Sequence, residues 1–267
     1  MKETTEAFAE VGLEVGMAKT HWTSWPPKPH DVLRIDDFKI AWEPHLVFVG
    51  SVLDFSGNSG GAINYRIAQA EKTFHRWKPL LLCPWLSVAR RATLAAKSVL
   101  ISFLWLSETW TVSKAQQRRL ESWGARLMAR VARIRRNVGE EIGQYWRRLH
   151  RAGHLWMRTI GGGVGVRRLR RLHRFAGHLA RTASGIVRTA LRTRCLAWWR
   201  YHQSRYHSKW DGLHPKRFHP WRWEAQLVQH YGECETIDVE LDVGWVLKAA
   251  SRDVWRDGEQ FFATRQA

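Results

Sequence analysis

The residues best placed to act in this sequence are arginines. Arg126, Arg130 and Arg133 recur at helical spacing, and Arg135 and Arg136 extend the row. Arg167, Arg168, Arg170, Arg171 and Arg174 form a denser row, with Arg181 after it. A guanidinium offers a planar fork of donors that fits two phosphate oxygens at once, and its flat face stacks on bases. Rows of this kind point to polyanion binding and not to bond making. The competing reading is ordinary solvated charge. Arg126, Arg130 and Arg133 have no acid within four residues to pair with, which favours phosphate contact.

The same bias holds on a larger scale. Between Arg76 and Arg222 lie 32 Lys and Arg against five acids, Glu108, Glu121, Glu140, Glu141 and Asp211. Residues 1–75 carry seven bases and ten acids, and residues 224–267 carry four and nine. The net charge of +19 therefore sits in one block of the chain. Such a block repels itself and calls for a polyanion, with nucleic acid the first candidate. Arg outnumbers Lys by 32 to 11, and there are 17 Trp. GC-rich codon usage raises Arg and Trp together, but it does not segregate charge.

Other chemistries fit less well. Asp36-Asp37 resembles a metal-holding pair, yet a two-metal site needs a further carboxylate from a distant strand. A tight hairpin turn is the simpler reading. His202, His207, His214 and His219, with Cys195 and Cys234 nearby, lack the close ligand pairs of a closed zinc site. Gly161-Gly162-Gly163-Val164-Gly165 lacks the Gly-Lys-Ser/Thr ending of a phosphate cradle and reads as a flexible joint. No nucleophile–base arrangement stands out, so no metal site and no catalytic residue is assigned from the residues alone. Cys83, Cys195 and Cys234 are odd in number and far apart, which suggests a reducing compartment. No signal peptide is read at the N-terminus, and the apolar run from Ser98 to Leu106 is too short to span a bilayer. The expected location is nuclear or cytoplasmic, not secreted and not membrane.

The elements that must position these residues are mostly helical. A short amphipathic helix is expected over 2–16, then a rigid loop at Trp25-Pro26-Pro27-Lys28-Pro29. Strands are expected at Val32–Ile35, Phe38–Trp42 and Leu46–Phe55, with Asp36-Asp37 as the first turn. Helices follow near 62–77, 86–107, 112–136, 140–157, 166–181 and 184–205. In the 112–136 helix, Leu120, Trp123, Leu127, Val131 and Ile134 form the core stripe opposite the arginines. Residues 206–223 read as irregular. A strand at Thr236–Leu241 and a helix at Val246–Phe262 close the chain. The expected class is mostly α with a small antiparallel β portion, α+β.

In order, several short motifs resemble the C-terminal part of reverse transcriptases of non-LTR (LINE-type) retrotransposons. Gly12-Leu13 and Lys19-Thr20 match a Gly-Leu…Lys-Thr signature. Phe48-Val49-Gly50-Ser51-Val52-Leu53 matches a hydrophobic-Gly-x-x-Leu strand that comes after a hairpin. Ile63, Arg66, Ile67, Ala70 and Phe74 match the start of the next helix. Residues Leu100 to Thr111, which contain Glu108-Thr109-Trp110, are similar to a Leu-Leu-Tyr-Gly-x-Glu-Thr-Trp stretch, with Trp105-Leu106-Ser107 where the family often has Tyr-Gly. A Leu-Glu…Arg helix follows at Leu120, Glu121, Arg130 and Ile134. Arg171 to Arg181, with Gly177-His178, is similar to Arg-x-x-Trp-x-Gly-His-x-x-Arg. The matches cover residues 8–181.

The resemblance implies an organisation and a function. Residues 1–61 would be the C-terminal remnant of the polymerase palm and 62–136 a helical thumb. Residues 137–223 would be a basic helical region downstream, and 224–267 an acidic tail. Lys19 would be the leaving-group proton donor, only in a complete palm. Phe48, Val49 and Gly50 would be the primer grip. Arg126, Arg130, Arg133, Arg136, Arg167, Arg168, Arg170, Arg171, Arg174 and Arg181 would contact RNA and DNA as primer–template. The family's catalytic carboxylates belong to motifs that fall before residue 1, so Mg²⁺ is expected only for a complete polymerase, with palm and fingers from an upstream polypeptide. The alternatives are a free-standing basic helical protein that binds RNA or DNA, and the non-functional product of a decayed element.

Overall fold

A computed structural model of the chain describes residues 6, 9–12, 16, 20–23, 30–35, 37–54, 59–182, 226–227, 230–231 and 244–266. Lys19, Leu13, the helices expected over 2–16 and 184–205, the 206–223 segment and the 236–241 strand lie wholly or largely outside these residues. The chain is mostly helical with a small antiparallel strand portion, an α+β fold. It divides into two compact units, Met1–Ile67 and Ala68–Ala267.

The first unit holds the strands. β1 (Val32–Ile35) pairs antiparallel with β2 (Phe38–Ala41), and Ile35 faces Phe38. Asp37 lies in a turn between the two strands, while Asp36, the other residue of the expected turn, lies outside the described residues. The run expected as one strand, Leu46–Phe55, is instead a second hairpin. β3 (His45–Phe48) pairs with β4 (Ser51–Asp54), and Val47 faces Val52. The chain reverses at Val49 and Gly50, whose φ angles are 49° and 75°. Two consecutive positive φ values make the twist-matched hairpin turn; Gly50 takes its value freely, while Val49 is strained there. The run reads as one strand because Val at a turn of this kind gives no sequence signal.

Helix α1 (Gly60–Leu81) starts in the first unit and ends in the second. Within the first unit, Ala62 and Ile63 are buried on it. The Arg66 guanidinium, nearly buried, donates to the Gly50 carbonyl and so fixes the hairpin tip to the helix. Burial pushes its proton affinity down.

In the second unit, the helix expected over 86–107 breaks into α2 (Val88–Lys97) and α3 (Val99–Phe103). The hydroxyl of Ser98 bonds back to the Leu94 carbonyl at 2.8 Å, a local bond that competes with helix continuation. A 3-10 turn, Ser107–Thr109, follows Leu106, which has φ 57°. Phe103 packs on Trp110 and Trp123 at ring distances of 5.7 and 4.2 Å, the centre of this core.

Helix α4 (Lys114–Val131) opens with a full capping box between Ser113 and Gln116. It stops five residues before the expected end at 136. Arg133 turns left-handed at φ 59°, and the Ile134 N–H reaches the Ala129 carbonyl at 3.0 Å, a Schellman-type closure. Buried Arg91 covers another terminal carbonyl, donating to Val131 O at 2.7 Å.

Helix α5 (Ile142–Thr159) packs antiparallel on α4. The approach is close because Gly153 meets the backbone of Ala125: a Cβ at 153 would lie 2.1 Å from the Ala125 carbonyl oxygen. Helix α6 (Val164–Arg181) follows after a short turn. It packs on the 3-10 turn, on α4, on α7 (Gly244–Ala250) and on α8 (Arg252–Gln266). The last two replace the single helix expected at Val246–Phe262, the break falling at Ser251. Leu169, Leu172, Ala176, Trp245, Trp255 and Phe262 form their shared core.

Candidate nucleic-acid interface

The glycine cluster between α5 and α6 is a built turn and not a loose joint. Gly161 closes α5 with φ 101°, and Gly162 N–H returns to the Met157 carbonyl at 3.0 Å. The start of α6 then presents its amides to the carboxylate of Glu121 on α4, which accepts from Gly165 N at 2.5 Å. A helix N-terminus attracts an anion. Here the anion is internal, and a Cβ at Gly163 would lie 2.5 Å from Glu121 Oε2.

The dense arginine row on α6 is largely engaged with the protein itself. Arg171 makes a two-point pair with Glu108 at 2.9 and 3.4 Å. Arg174 does the same with Glu259 at 2.7 Å for both bonds, and Glu259 raises its proton affinity. Arg167 donates to the carbonyls of Gly162 and Ile160, closing the end of α5. Arg170 donates to the Gly161 carbonyl and to Gln260. Arg181 donates to the Ala249 carbonyl at 2.6 Å. Arg168 is buried, donates to Gln226 at 3.1 Å, and is pushed down to about 10 by burial. These guanidiniums bind α6 to the 3-10 turn, to α7 and to α8. Nothing local signals this engagement, because every partner outside the α5–α6 turn is far away in the chain.

The first row divides. Arg130 pairs with Glu71 at 2.8 Å and lies 3.7 Å over the Phe74 ring, so it joins α4 to α1. Arg133 is past the helix end and does not continue the face of 126 and 130. Arg136 donates to the Glu140 carbonyl at 2.8 Å. Arg126 remains exposed, with no acceptor among the described residues.

A second set, not singled out in the sequence, joins Arg126. Arg118 on α4 and Arg147, Arg151 and Arg158 on α5 are exposed. Among the described residues, Arg118, Arg151 and Arg158 have no hydrogen-bond or ion-pair partner, and Arg147 reaches only the Gly143 carbonyl of its own helix. The four-residue step from 147 to 151 and the seven-residue step to 158 put them on one side of α5. That spacing, with no acid within four residues of any of the three, was a readable signal. Arg148, next to them, pairs twice with Glu140 at 2.8 and 2.7 Å. Arg148 and the Asn137 N–H hold the Glu140 carboxyl down to about 2. The α4–α5 hairpin therefore presents free guanidiniums from both helices.

The expected primer-grip residues lie at the tip of the β3–β4 hairpin. Phe48 and Val49 are 64% and 61% exposed. Among the described residues, no three His, Cys, Asp or Glu side chains converge as a metal site would require, and no helix is long and apolar enough to cross a membrane. The histidines and cysteines weighed for zinc, His202, His207, His214, His219, Cys195 and Cys234, lie outside the described residues. Comparisons with family models, with curated proteins and with solved structures find nothing that matches this chain.

Proposed function

We propose that this chain binds nucleic acid through the α4–α5 hairpin, as the palm-end, thumb and downstream segment of a non-LTR retrotransposon reverse transcriptase. The observation that carries the reading is the set of exposed guanidiniums on two antiparallel helices, Arg118 and Arg126 on one and Arg147, Arg151 and Arg158 on the other. Fixed cations on a rigid scaffold suit the regular phosphates of a nucleic-acid backbone. The exposed apolar tip at Phe48-Val49, held by Arg66, supports a role in positioning a primer end. The described residues do not supply convergent ligands for the Mg²⁺ of such an enzyme, so no chemical step is assigned to them. Binding is expected to favour a recessed primer–template over a plain single strand or a blunt duplex. Primer extension with Mg²⁺ is expected to be nil for this chain alone. Fluorescence anisotropy with the three substrates, beside an extension assay, tests both statements. Equal affinity for the three, or extension, overturns the assignment.

One observation favours a second reading, a self-contained basic binding module. Helices α7 and α8 cover α6, and Glu259 neutralises Arg174 there, which gives the second unit a core and partners of its own. Equal affinity for the three substrates is the result this reading expects.

A further inference from the structure

Three rings follow one another along α5 at four-residue steps: Trp146, His150 and His154. Their centroids are 6.5 and 6.2 Å apart, with planes tilted by 46° and 34°. Tyr145 lies 5.6 Å from Trp146 and widens the row. Trp146 is 45% exposed, an indole left half in water on a helix that has a buried face available. Further round the helix run the exposed Arg147, Arg151 and Arg158. From α4, Arg126 stands close enough to act on His150: burial first, then the His154 imidazole and the Arg126 guanidinium, lower its proton affinity. The surroundings of the His150 ring thus favour its uncharged form.

A row of rings bordered by guanidiniums has a specific chemical complement. Phosphates match the forks, and the faces of bases match the rings. The ring spacing is roughly twice the rise of about 3.4 Å between neighbouring bases of a strand, so successive rings suit bases taken at intervals. A duplex cannot use the rings, because its bases are stacked on one another and only their edges are open. An unpaired strand can. Charge complementarity favours a polyanion over a protein partner, which would need an acidic surface to face these guanidiniums.

We infer that this face of α5 is a stacking track for single-stranded nucleic acid, with bases on Trp146, His150 and His154 and phosphates on Arg126, Arg147 and Arg151. It rests on the reading of the same hairpin as a nucleic-acid surface and adds the strand type. The single-stranded part of a primer–template would lie here.

The test uses the full chain and three probes: a 20-nucleotide oligo(U) RNA, a 20-nucleotide oligo(dT) DNA and a blunt DNA duplex. Trp146→Ala is expected to weaken both single-strand probes about tenfold, the scale of one lost base stack, and to leave the duplex unchanged within twofold. Trp146→Phe keeps a ring and should restore most of the loss. Comparable loss on RNA and DNA assigns the track to base faces; loss on RNA alone adds a 2′-hydroxyl contact and still supports it. Should Trp146→Ala fold poorly, the wild-type chain decides: photocrosslinking of 4-thiouridine RNA is expected at the peptide that contains Trp146. Equal loss on strand and duplex, no loss on either, or crosslinks confined to other helices overturns the track. Absence of binding to all three probes at low salt overturns the nucleic-acid reading itself and leaves the face to a protein partner.

Discussion

Glu108 and Arg171 are 63 residues apart in sequence and meet in a two-point ion pair that ties the 3-10 turn to α6. Glu108 belongs to the Glu-Thr-Trp stretch, and Arg171 opens the segment that ends at Arg181. Two motifs that resemble markers of a family are therefore also two halves of one joint. Trp110 packs on Phe103 beneath the turn, and Arg174 and Arg181 extend the joint to α8 and α7. Arg171→Ala is expected to cost about 1–3 kcal/mol, because it leaves the largely buried Glu108 carboxylate unpaired. Urea unfolding measures the loss. Glu108→Gln should cost less, since an amide oxygen still accepts. Oligonucleotide affinity should be unchanged in Arg171→Ala, and a tenfold drop there would return Arg171 to the binding surface.

The exposed arginines should behave in the opposite way. Replacing Arg126, Arg151 or Arg158 by Ala is expected to change stability by no more than about 0.5 kcal/mol. Each replacement should lower the dependence of log affinity on log salt by roughly one for every phosphate the protein no longer neutralises. Titrations over a range of NaCl concentrations provide the slope. An unchanged slope in all three variants would remove the hairpin from the interface.

Much of this layout was legible in the sequence, and what was not has physical causes. The α4 core stripe and the β1–β2 turn follow from periodicity and turn chemistry, which are local. The free or engaged state of an arginine is not local. Arg126 and Arg130 are equivalent on a helical wheel, yet Arg130 finds Glu71 and Phe74 on α1 while Arg126 finds no acceptor among the described residues. Density is no guide to that state, for the same reason. The crowded row on α6 lies where three elements converge and acceptors are many, whereas on α5 Arg151 and Arg158 meet no acceptor among the described residues and Arg147 meets only the Gly143 carbonyl.

Gly153 tests the packing that brings the two helices of the interface together. Gly153→Ala would drive a methyl group into the Ala125 carbonyl, which is backbone and cannot move alone. The expected loss is about 3 kcal/mol or more, against a gain of about 1 kcal/mol in helix propensity. Gly124→Ala meets side-chain atoms of Val164 and Met157 instead and should cost less. Thermal melts of the two variants order them. Equal melting temperatures would contradict the close approach of α4 and α5.

His173 sets a pH limit on the same unit. It is fully buried on α6, stacked on Trp255 at 3.9 Å, with Nε2 2.5 Å from the Tyr231 hydroxyl. Burial pushes its proton affinity down to about 4 and that of Tyr231 up to about 12. The unfolded chain binds a proton near pH 6.5, and the folded chain binds it only near 4. Stability from this group is therefore complete above about pH 6.5 and is lost as pH falls toward 4. A lowering of about 2.5 pH units corresponds to roughly 3 kcal/mol, and further acid adds nothing from this residue. Urea midpoints measured between pH 7.5 and 4 should fall along that window. His173→Phe keeps a flat ring on Trp255 and carries no proton, so its curve should be flatter by that amount. If the wild-type and His173→Phe curves run parallel, the imidazole is not the group that titrates, and the buried contact with Tyr231 has no part in acid unfolding.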